Sequence, residues 1–182
     1  MDAALIRISK FLSLVLRHNP GKIGLSLDPN GWADVDELIQ KANRFGVHFD
    51  RLMLEKVVAE NDKKRYAFSL DRSKIRASQG HSLNIDLGLE PVYPPEILYH
   101  GTAQQYRVSI LEKGLLPRSR QHVHLSKDME TALNVGSRHG KPVVFLVKAR
   151  QMEQDGLKFY LSANGVWLAT HVPAKYLDLI HG

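Results

Sequence analysis

The 182-residue chain contains no cysteine. This absence excludes disulfide scaffolds, thiolate metal sites, iron–sulfur clusters and cysteine nucleophiles. Long apolar runs are also missing, so the sequence predicts no membrane span and no signal peptide. Because 43% of the residues are hydrophobic, the chain can still build one large core or two small ones. We therefore expect a soluble, cytoplasmic protein.

Basic side chains, by contrast, are plentiful. The chain has 25 Lys and Arg against 19 Asp and Glu, which gives a formal net charge of +6. It also has nine histidines, most of them in the second half. A basic, histidine-rich composition favours phosphate-bearing partners, but composition alone does not name one.

The first half of the chain reads as three helices followed by a hairpin. Apolar residues at helical spacing predict a first helix that stops near Arg17, because Pro20 disfavours helical geometry just before it. Asp34 is placed to cap a second helix, and a third is predicted from about Asp50. The alternation that follows predicts a strand over residues 66–70 and a partner strand beyond it. This order is typical of a winged helix, a module that binds nucleic acid in some proteins and other proteins elsewhere.

A proline-rich connector then separates the two halves. Pro91, Pro94 and Pro95 make the chain stiff there, so we place a domain boundary between residues 1–90 and 91–182. The second half alternates strands and helices, which predicts an α+β unit. Strands are predicted at 97–99, 122–125, 143–147, 157–161 and 166–168, and helices at 103–113 and 129–136. Asn164-Gly165 predicts a hairpin between the last two strands.

Several short segments have two interpretations when taken singly. Arg17 and His18, at a helix end, suit either the helix dipole or a phosphate. Arg65 follows two lysines near the predicted hairpin and is either a solvated cation or a contact to a phosphate backbone. His122 and His124 share one strand face, but Ser126 stands where a metal hydrolase would need a carboxylate. We therefore expect one buried histidine and one site histidine there, and no metal.

The glycine-containing segments narrow the possibilities further. Tyr99-His100-Gly101-Thr102 is placed at a strand end, where a glycine lets the backbone approach a ligand closely. The segment around Arg138 is glycine-flanked and basic, but it matches neither a P-loop nor a dinucleotide fingerprint. These patterns disfavour a P-loop NTPase and a Rossmann dehydrogenase.

Taken in order along the chain, the motifs resemble those of the RNA (tRNA) 2′-phosphotransferase family of bacterial type. The resemblance extends over nearly the whole sequence. It is carried by Leu-Arg-His-Asn-Pro at 16–20, Gly31-Trp32, Lys64-Arg65-Tyr66, Gly80-His81-Ser82, Tyr99-His100-Gly101-Thr102, His122-Val123-His124-Leu125-Ser126 and Asn164-Gly165-Val166-Trp167-Leu168.

The resemblance implies a fold and a reaction. The family combines an N-terminal winged-helix lobe that binds RNA with a C-terminal lobe similar to diphtheria-toxin-like ADP-ribosyltransferases that binds NAD⁺. The 2′-phosphate left on RNA, as at a tRNA splice junction, attacks NAD⁺ and expels nicotinamide. A ribose hydroxyl then attacks the phosphate and releases 2′-OH RNA with ADP-ribose 1″,2″-cyclic phosphate. We expect a monomer that needs no metal.

The resemblance also implies which residues act. The family's catalytic Arg-His-Arg-Arg set falls on Arg17, His18, Arg65 and Arg120. The residues implied to bind NAD⁺ are His100, Gly101, Thr102, His124, Ser126 and Arg138. His100 and Thr102 would contact the adenosine ribose, Ser126 and Arg138 the pyrophosphate, and His124 the nicotinamide pocket.

Two alternatives stay open at this point. One is an ADP-ribosyltransferase that modifies terminal phosphates of nucleic acids, or proteins, without the second step. The other is a winged-helix RNA- or DNA-binding protein whose second lobe only senses NAD⁺. Toxin-like transferases use a late-strand glutamate to activate the acceptor, whereas the hairpin around Asn164 contains no carboxylate. A phosphate nucleophile needs no such activation, so this departure favours the phosphotransferase.

Overall fold

The structure is a computed structural model that describes residues 3–181. The chain divides into two compact units, Met1–Gly88 and Leu89–Gly182. Both units contain helices and small antiparallel sheets. The predicted α+β class is therefore confirmed.

From residue 3 onward, where the structure describes it, the first unit contains three helices and one three-stranded sheet. Its elements are α1 (Ala3–Arg17), β1 (Ala33–Asp34), α2 (Val35–Phe45), α3 (Arg51–Ala59), β2 (Tyr66–Phe68) and β3 (Lys74–Ala77), with a 3₁₀ turn at Pro20–Ile23. The sheet order is β1-β3-β2, with antiparallel neighbours throughout. The three helices and the β2–β3 hairpin agree with the sequence, whereas β1 is too short to leave a periodic signal.

Local sequence explains where these helices begin and how they pack. The side chain of Asp34 accepts a hydrogen bond from the amide of Glu37 at 2.8 Å, and Asp50 caps α3 through the amide of Met53 at 2.8 Å. Each such cap stabilises a helix by about 1 kcal/mol. The apolar face of α1 is buried in the core of the unit, together with residues from α2, α3 and the sheet. The fixed start of each helix therefore sets which side chains face that core.

The second unit, as described up to residue 181, has two small sheets and three helices. Its elements are β4 (Leu98–Ala103), α4 (Arg107–Lys113), β5 (Val123–Leu125), α5 (Met129–Gly136), β6 (Pro142–Val147), α6 (Ala149–Gln154), β7 (Phe159–Leu161), β8 (Trp167–Ala169) and β9 (Leu177–His181), with 3₁₀ turns at Gln104–Tyr106, Ser137–His139 and Ala174–Tyr176. The sheet orders are β4-β6-β9 and β5-β8-β7. A single bridge between Tyr99 and Ser126 joins the two sheets.

Two expectations for this unit are corrected. His100, Gly101 and Thr102 lie inside β4 rather than at a strand end, because β4 pairs with β6 over six residues as far as Ala103. The helix predicted from residue 103 consequently starts later, at Arg107, after a 3₁₀ turn. α6 and β9 were not predicted from the sequence. The predicted hairpin is confirmed, since β7 and β8 pair around the loop that contains Asn164 and Gly165.

None of the helices described within residues 3–181 is both long enough and apolar enough to cross a membrane.

The packing of α5 on β4 explains the glycine at position 101. A Cβ atom added to Gly101 would lie 1.6 Å from the main-chain oxygen of Ala132. Gly136 is also confined, though less tightly, because its Cβ would lie 2.8 Å from the carbonyl oxygen of Thr102. The sequence explained Gly101 by the approach of a ligand, but in the structure it is the helix backbone that fills this space.

We predict that Gly101→Ala destabilises the second unit by about 3 kcal/mol, because the added methyl group forces α5 away from β4. Thermal unfolding followed by circular dichroism measures the effect. The matched control is Gly21→Ala, whose Cβ would approach nothing closer than 3.7 Å. An unchanged melting temperature for Gly101→Ala would contradict the packing described.

Candidate active site

In the first unit, basic side chains gather around the C-terminal end of α1. Arg17 is the last residue of α1, and His18 follows it. The segment after the hairpin returns to this end: the amide of Ser82 donates to the carbonyl oxygen of Arg17 at 3.0 Å. The hydroxyl group of Ser82 lies 3.0 Å from Nδ1 of His18. The predicted pair Arg17 and His18 is thus held in place by a loop distant in sequence.

Arg65 is fixed by a buried polar network that reaches the same helix. Its main-chain amide and Nη1 both donate to Oδ1 of Asn61, at 3.3 Å each. Nδ2 of Asn61 donates to Oγ of Ser9 at 3.3 Å, and the hydroxyl of Tyr66 donates to the carbonyl oxygen of Ser9 at 2.5 Å. Asn61 is 3% exposed, so its amide is committed to these partners. The guanidinium of Arg65 is therefore tied to α1.

Helical geometry places Arg17 on the face that this network contacts. Oγ of Ser13 lies 2.6 Å from the hydroxyl oxygen of Tyr66. Ser9, Ser13 and Arg17 follow one another at intervals of four residues, so they lie along one face of α1. The first unit accordingly attaches the start of β2, next to Arg65, to the face of α1 that ends at Arg17.

A buried histidine at this end has no role assigned by the sequence. His81 is 1% exposed, and neither ring nitrogen has a hydrogen-bond partner in the structure. Burial, together with the charges of Arg17, His18 and Arg76, lowers the pKa of His81 to about 4. The ring is therefore neutral at physiological pH. Only the Gly80-His81-Ser82 motif pointed to this segment, because a buried histidine leaves no periodic signal.

In the second unit, the histidines at positions 100 and 124 meet across β4 and β5. Nδ1 of His100 lies 3.0 Å from the carbonyl oxygen of His124. A carbonyl oxygen only accepts, so Nδ1 of His100 carries the proton. Burial and the nearby Arg118 lower the pKa of His100, although the hydrogen bond to His124 opposes them. Nε2 of a neutral His100 is then a hydrogen-bond acceptor.

Arg120 and His124 form a second defined pair. Nη1 of Arg120 lies 2.9 Å from Nδ1 of His124. A guanidinium only donates, so Nδ1 of His124 accepts and the proton of the neutral ring is on Nε2. Arg120 is exposed as a residue, yet the packing around its guanidinium lowers the pKa of Arg120. The structure thus places two predicted site residues in direct contact.

The remaining predicted residues of the second unit differ in how they are held. Ser126 exchanges two main-chain hydrogen bonds with Tyr99, at 2.7 and 2.9 Å. Arg138 is exposed and lies in the 3₁₀ turn that follows α5, so it belongs to a different element from His100 and His124. His122 packs its ring against Tyr160 with centroids 5.8 Å apart.

One expectation about the His122–His124 pair is wrong. The sequence predicted one buried histidine and one site histidine, but neither is buried, since both are half-exposed. The reason is that β5 is an edge strand, paired on one side only, with β8. Among residues 3–181, no three histidine or acidic side chains come together in a way that would hold a metal ion.

Comparison with known proteins shows which family the chain belongs to. A family model described as RNA 2′-phosphotransferase, Tpt1 / KptA family, matches residues 3–171. The chain belongs to this family. It is 57% identical to a protein of Flavobacterium johnsoniae over 94% of each chain, and 58% identical to one of Agrobacterium fabrum over 94% of this chain and 92% of the relative. It is also 54% identical to a protein of Hahella chejuensis over 99% of this chain and 97% of the relative. Each of these relatives is named a probable RNA 2′-phosphotransferase.

Family membership identifies the chain as an enzyme, a transferase of the RNA 2′-phosphotransferase family, as the resemblance in the sequence predicted. The matched region includes every predicted site residue, from Arg17 to Arg138. The cations described above are therefore the natural candidates for binding the phosphate of this phosphotransferase.

The burial of His81 predicts a pH-dependent stability of the phosphotransferase. An unfolded histidine has a pKa near 6.5, so as the pH falls below 6.5 the unfolded state takes up a proton that the folded state binds only near pH 4. The contribution of the neutral His81 ring to the stability of the protein is fully present above pH 6.5, and it is lost as the pH falls toward 4. When the pH falls from 7.5 to 5, we expect the unfolding free energy of wild type to decrease by about 2 kcal/mol more than that of His81→Leu.

Urea unfolding at the two pH values measures this difference. His48→Leu is the control, because His48 is exposed in the same unit and has no such burial. If wild type and His81→Leu showed the same pH dependence, His81 would be protonated in the folded protein.

Proposed function

We propose that the protein is an NAD⁺-dependent RNA 2′-phosphotransferase that acts in two steps. An oxygen of the RNA 2′-phosphate forms a bond to the ribose C1″ of NAD⁺, and the bond to nicotinamide breaks. The 2″-hydroxyl oxygen then bonds to phosphorus, the bond to the RNA 2′-oxygen breaks, and that oxygen takes up a proton. The products are 2′-OH RNA and ADP-ribose 1″,2″-cyclic phosphate.

The proposal assigns RNA to the first domain, residues 1–90, and NAD⁺ to the second, residues 91–182. The order α1-β1-α2-α3-β2-β3 and its three-stranded antiparallel sheet support a winged-helix lobe. The two small sheets of the second unit, with α5 packed on β4, support an ADP-ribosyltransferase-like lobe. The family match covers both units.

The observation that carries the proposal is the polar network that ties Arg65 to the helix ending in Arg17. A phosphate dianion that passes through a more highly charged transition state needs donors that stay charged and keep a fixed geometry. Arg17 and Arg65 meet this need, since guanidinium groups bind two phosphate oxygens at once and remain protonated. We assign them to the 2′-phosphate, together with His18 as a hydrogen-bond partner. Arg120, in the second unit, is the fourth member of the catalytic set that the family resemblance implies.

The second unit offers groups suited to NAD⁺. Nε2 of His100 is an acceptor for a ribose hydroxyl group, and Thr102 lies two residues further along β4, on the same face of the strand. Ser126 and Arg138 supply a hydroxyl and a cation for the diphosphate. Nε2–H of His124 is a hydrogen-bond donor that we assign to the nicotinamide pocket. Gly101 has no side chain, so it can contact NAD⁺ only through its main-chain atoms. NAD⁺ itself supplies the activated C1″–N bond, whose cleavage drives the first step.

The β7–β8 hairpin supports transfer to phosphate rather than to a protein. Its loop, residues 162–166, contains no carboxylate. Instead, Oγ of Ser162 donates to the carbonyl oxygen of Val166 at 3.1 Å and lies 2.7 Å from Oδ1 of Asn164. A neutral protein nucleophile would need a base at this loop, whereas a phosphate dianion is already a nucleophile.

Incubation of the protein with NAD⁺ and a 2′-phosphorylated oligoribonucleotide tests the proposal. We expect nicotinamide release only when both are present, in equal amount to the RNA dephosphorylated. Nicotinamide released with a stably ADP-ribosylated product would support the transferase without the second step. Stoichiometric NAD⁺ binding with no release would mean that the second unit only senses NAD⁺.

We predict that Arg65→Ala lowers the rate of RNA dephosphorylation by about 10²-fold or more, because a fixed donor to the transition-state phosphate is lost. ADP-ribosylated RNA should accumulate, since phosphorus becomes pentacoordinate only in the second step. Arg65→Lys should restore little, because lysine offers a point charge without the planar fork. Arg44→Ala removes an exposed cation at the end of α2 and serves as the control. Equal activity of Arg65→Ala and Arg44→Ala would remove Arg65 from the site.

A further inference from the structure

A tryptophan–arginine pair lies on the sheet of the first unit. Ala33 of β1 pairs with Ile75 of β3, so Trp32 stands opposite Arg76. The Arg76 guanidinium lies 4.5 Å from the centroid of the Trp32 ring. Nη1 of Arg76 also donates to the carbonyl oxygen of Asn30 at 3.3 Å. The guanidinium plane is therefore oriented, while most of its five N–H groups remain for other partners.

The pair shares a face of the sheet with Arg65. Ala67 pairs with Arg76, and Tyr66 with Ala77. The same register continues one residue further, where the amide of Ser78 donates to the carbonyl oxygen of Arg65 at 2.8 Å. Side chains of directly paired residues lie on one face, and alternate residues share it. Arg65 and Arg76 are thus diagonal neighbours on the face opposite Tyr66, about 7–8 Å apart at the backbone.

No acidic group in the described residues 3–181 forms an ion pair with Arg76. Asp28 is the carboxylate that raises the pKa of Arg76, but burial of the guanidinium has the larger effect and lowers it. The carboxylate of Asp28 is already engaged by the amides of Asn30 and Trp32, at 3.0 and 2.9 Å, and by Nζ of Lys74 at 3.4 Å. The carboxylate of Asp28 is thus occupied by groups of its own turn and by Lys74. The positive charge of Arg76 is therefore left largely uncompensated.

Other positively charged groups also lie near Arg76. The charges of Arg76, Arg17 and His18 all act on the buried ring of His81. Arg76 is therefore part of the same positive region as Arg17 and His18. It is a further cation of this region, held by stacking on Trp32 rather than by a carboxylate.

We propose that Arg76, oriented by Trp32, binds the phosphodiester directly 3′ of the 2′-phosphorylated ribose. The two phosphate groups are attached to adjacent ribose carbons, so a cation next to Arg65 is placed to meet the second of them. A planar guanidinium stacked on an indole is suited to a phosphodiester in a single strand. The inference rests on the proposed function, and it makes Arg76 the residue that distinguishes an internal 2′-phosphate from one at a 3′ end.

Isothermal titration calorimetry without NAD⁺ tests this assignment. The two ligands are ApA(2′P)pA, with an internal 2′-phosphate, and ApA(2′P), which lacks the 3′-phosphodiester. We expect Arg76→Gln to weaken binding of the first ligand about tenfold and binding of the second less than twofold. The slope of log affinity against log salt for the first ligand should fall by about 0.7 in magnitude.

Control variants separate the contact from general charge loss. Arg72→Gln removes the same charge from the turn of the same hairpin, where Arg72 lies over Phe68 at 5.2 Å, and it should alter neither affinity. Trp32→Phe retains a stacking ring and should bind the first ligand more tightly than Arg76→Gln does. Thermal melting verifies that each variant folds.

Equal losses for the two ligands, no loss, or an equal loss in Arg72→Gln would overturn the proposal. Because binding is measured without NAD⁺, the result is separate from the proposed reaction. Discrimination by Arg76 in a protein that releases no nicotinamide would leave this inference standing and remove the proposed function. If wild type bound neither ligand, both would fail.

Discussion

The hydroxyl group of Tyr66 joins α1 to the hairpin, and the arrangement of cations in the first unit depends on it. This buried group lies 2.6 Å from Oγ of Ser13 and donates to the carbonyl oxygen of Ser9. Since a buried hydroxyl without a partner costs on the order of 1–3 kcal/mol, the contact fixes how α1 rotates against β2. That rotation determines where Arg17, at the helix end, lies relative to Arg65, next to Tyr66 in the chain.

The charge of the candidate site resides in arginine rather than histidine. Burial lowers the pKa values of His81 and His100, and His124 accepts a hydrogen bond from Arg120. Neutral imidazoles among guanidiniums add hydrogen-bonding groups without adding repulsion between cations. The charges that the arginines provide are then constant across the pH range in which free histidines titrate. A site for a phosphate dianion gains from this, because the ligand supplies the negative charge and the protein only needs to keep its own charge fixed.

Local sequence predicted much of the fold. The caps at Asp34 and Asp50 and the alternation around Tyr66 predicted their elements because each signal comes from residues close in the chain. β1 and β9 were missed because they exist through pairing with distant strands. The same holds for the start of α4: pairing with β6 extends β4 through His100 to Ala103, which no local pattern announces.

The candidate site was less accessible to prediction from residue patterns. Arg17 and Arg65 were visible as cations at a helix end and beside a strand, each with an ordinary structural explanation. Arg65 is linked to α1 by the long-range hydrogen bond from Asn61 to Ser9, and the stacking of Arg76 on Trp32 is long-range as well. The resemblance to the family supplied the roles, which stay predictions. The reason for Gly101 came from the packing of α5, which only the structure reveals.

The fate of the phosphorus atom is the most direct test of the proposed chemistry. A time course of ³¹P NMR spectra, recorded with a 2′-phosphorylated dinucleotide, NAD⁺ and the protein, follows that atom from RNA to product. We expect the 2′-phosphomonoester signal to be replaced by that of a five-membered cyclic phosphate on ADP-ribose, with no change when NAD⁺ is omitted. Release of inorganic phosphate, or loss of the RNA phosphate without NAD⁺, would contradict transfer to the ribose.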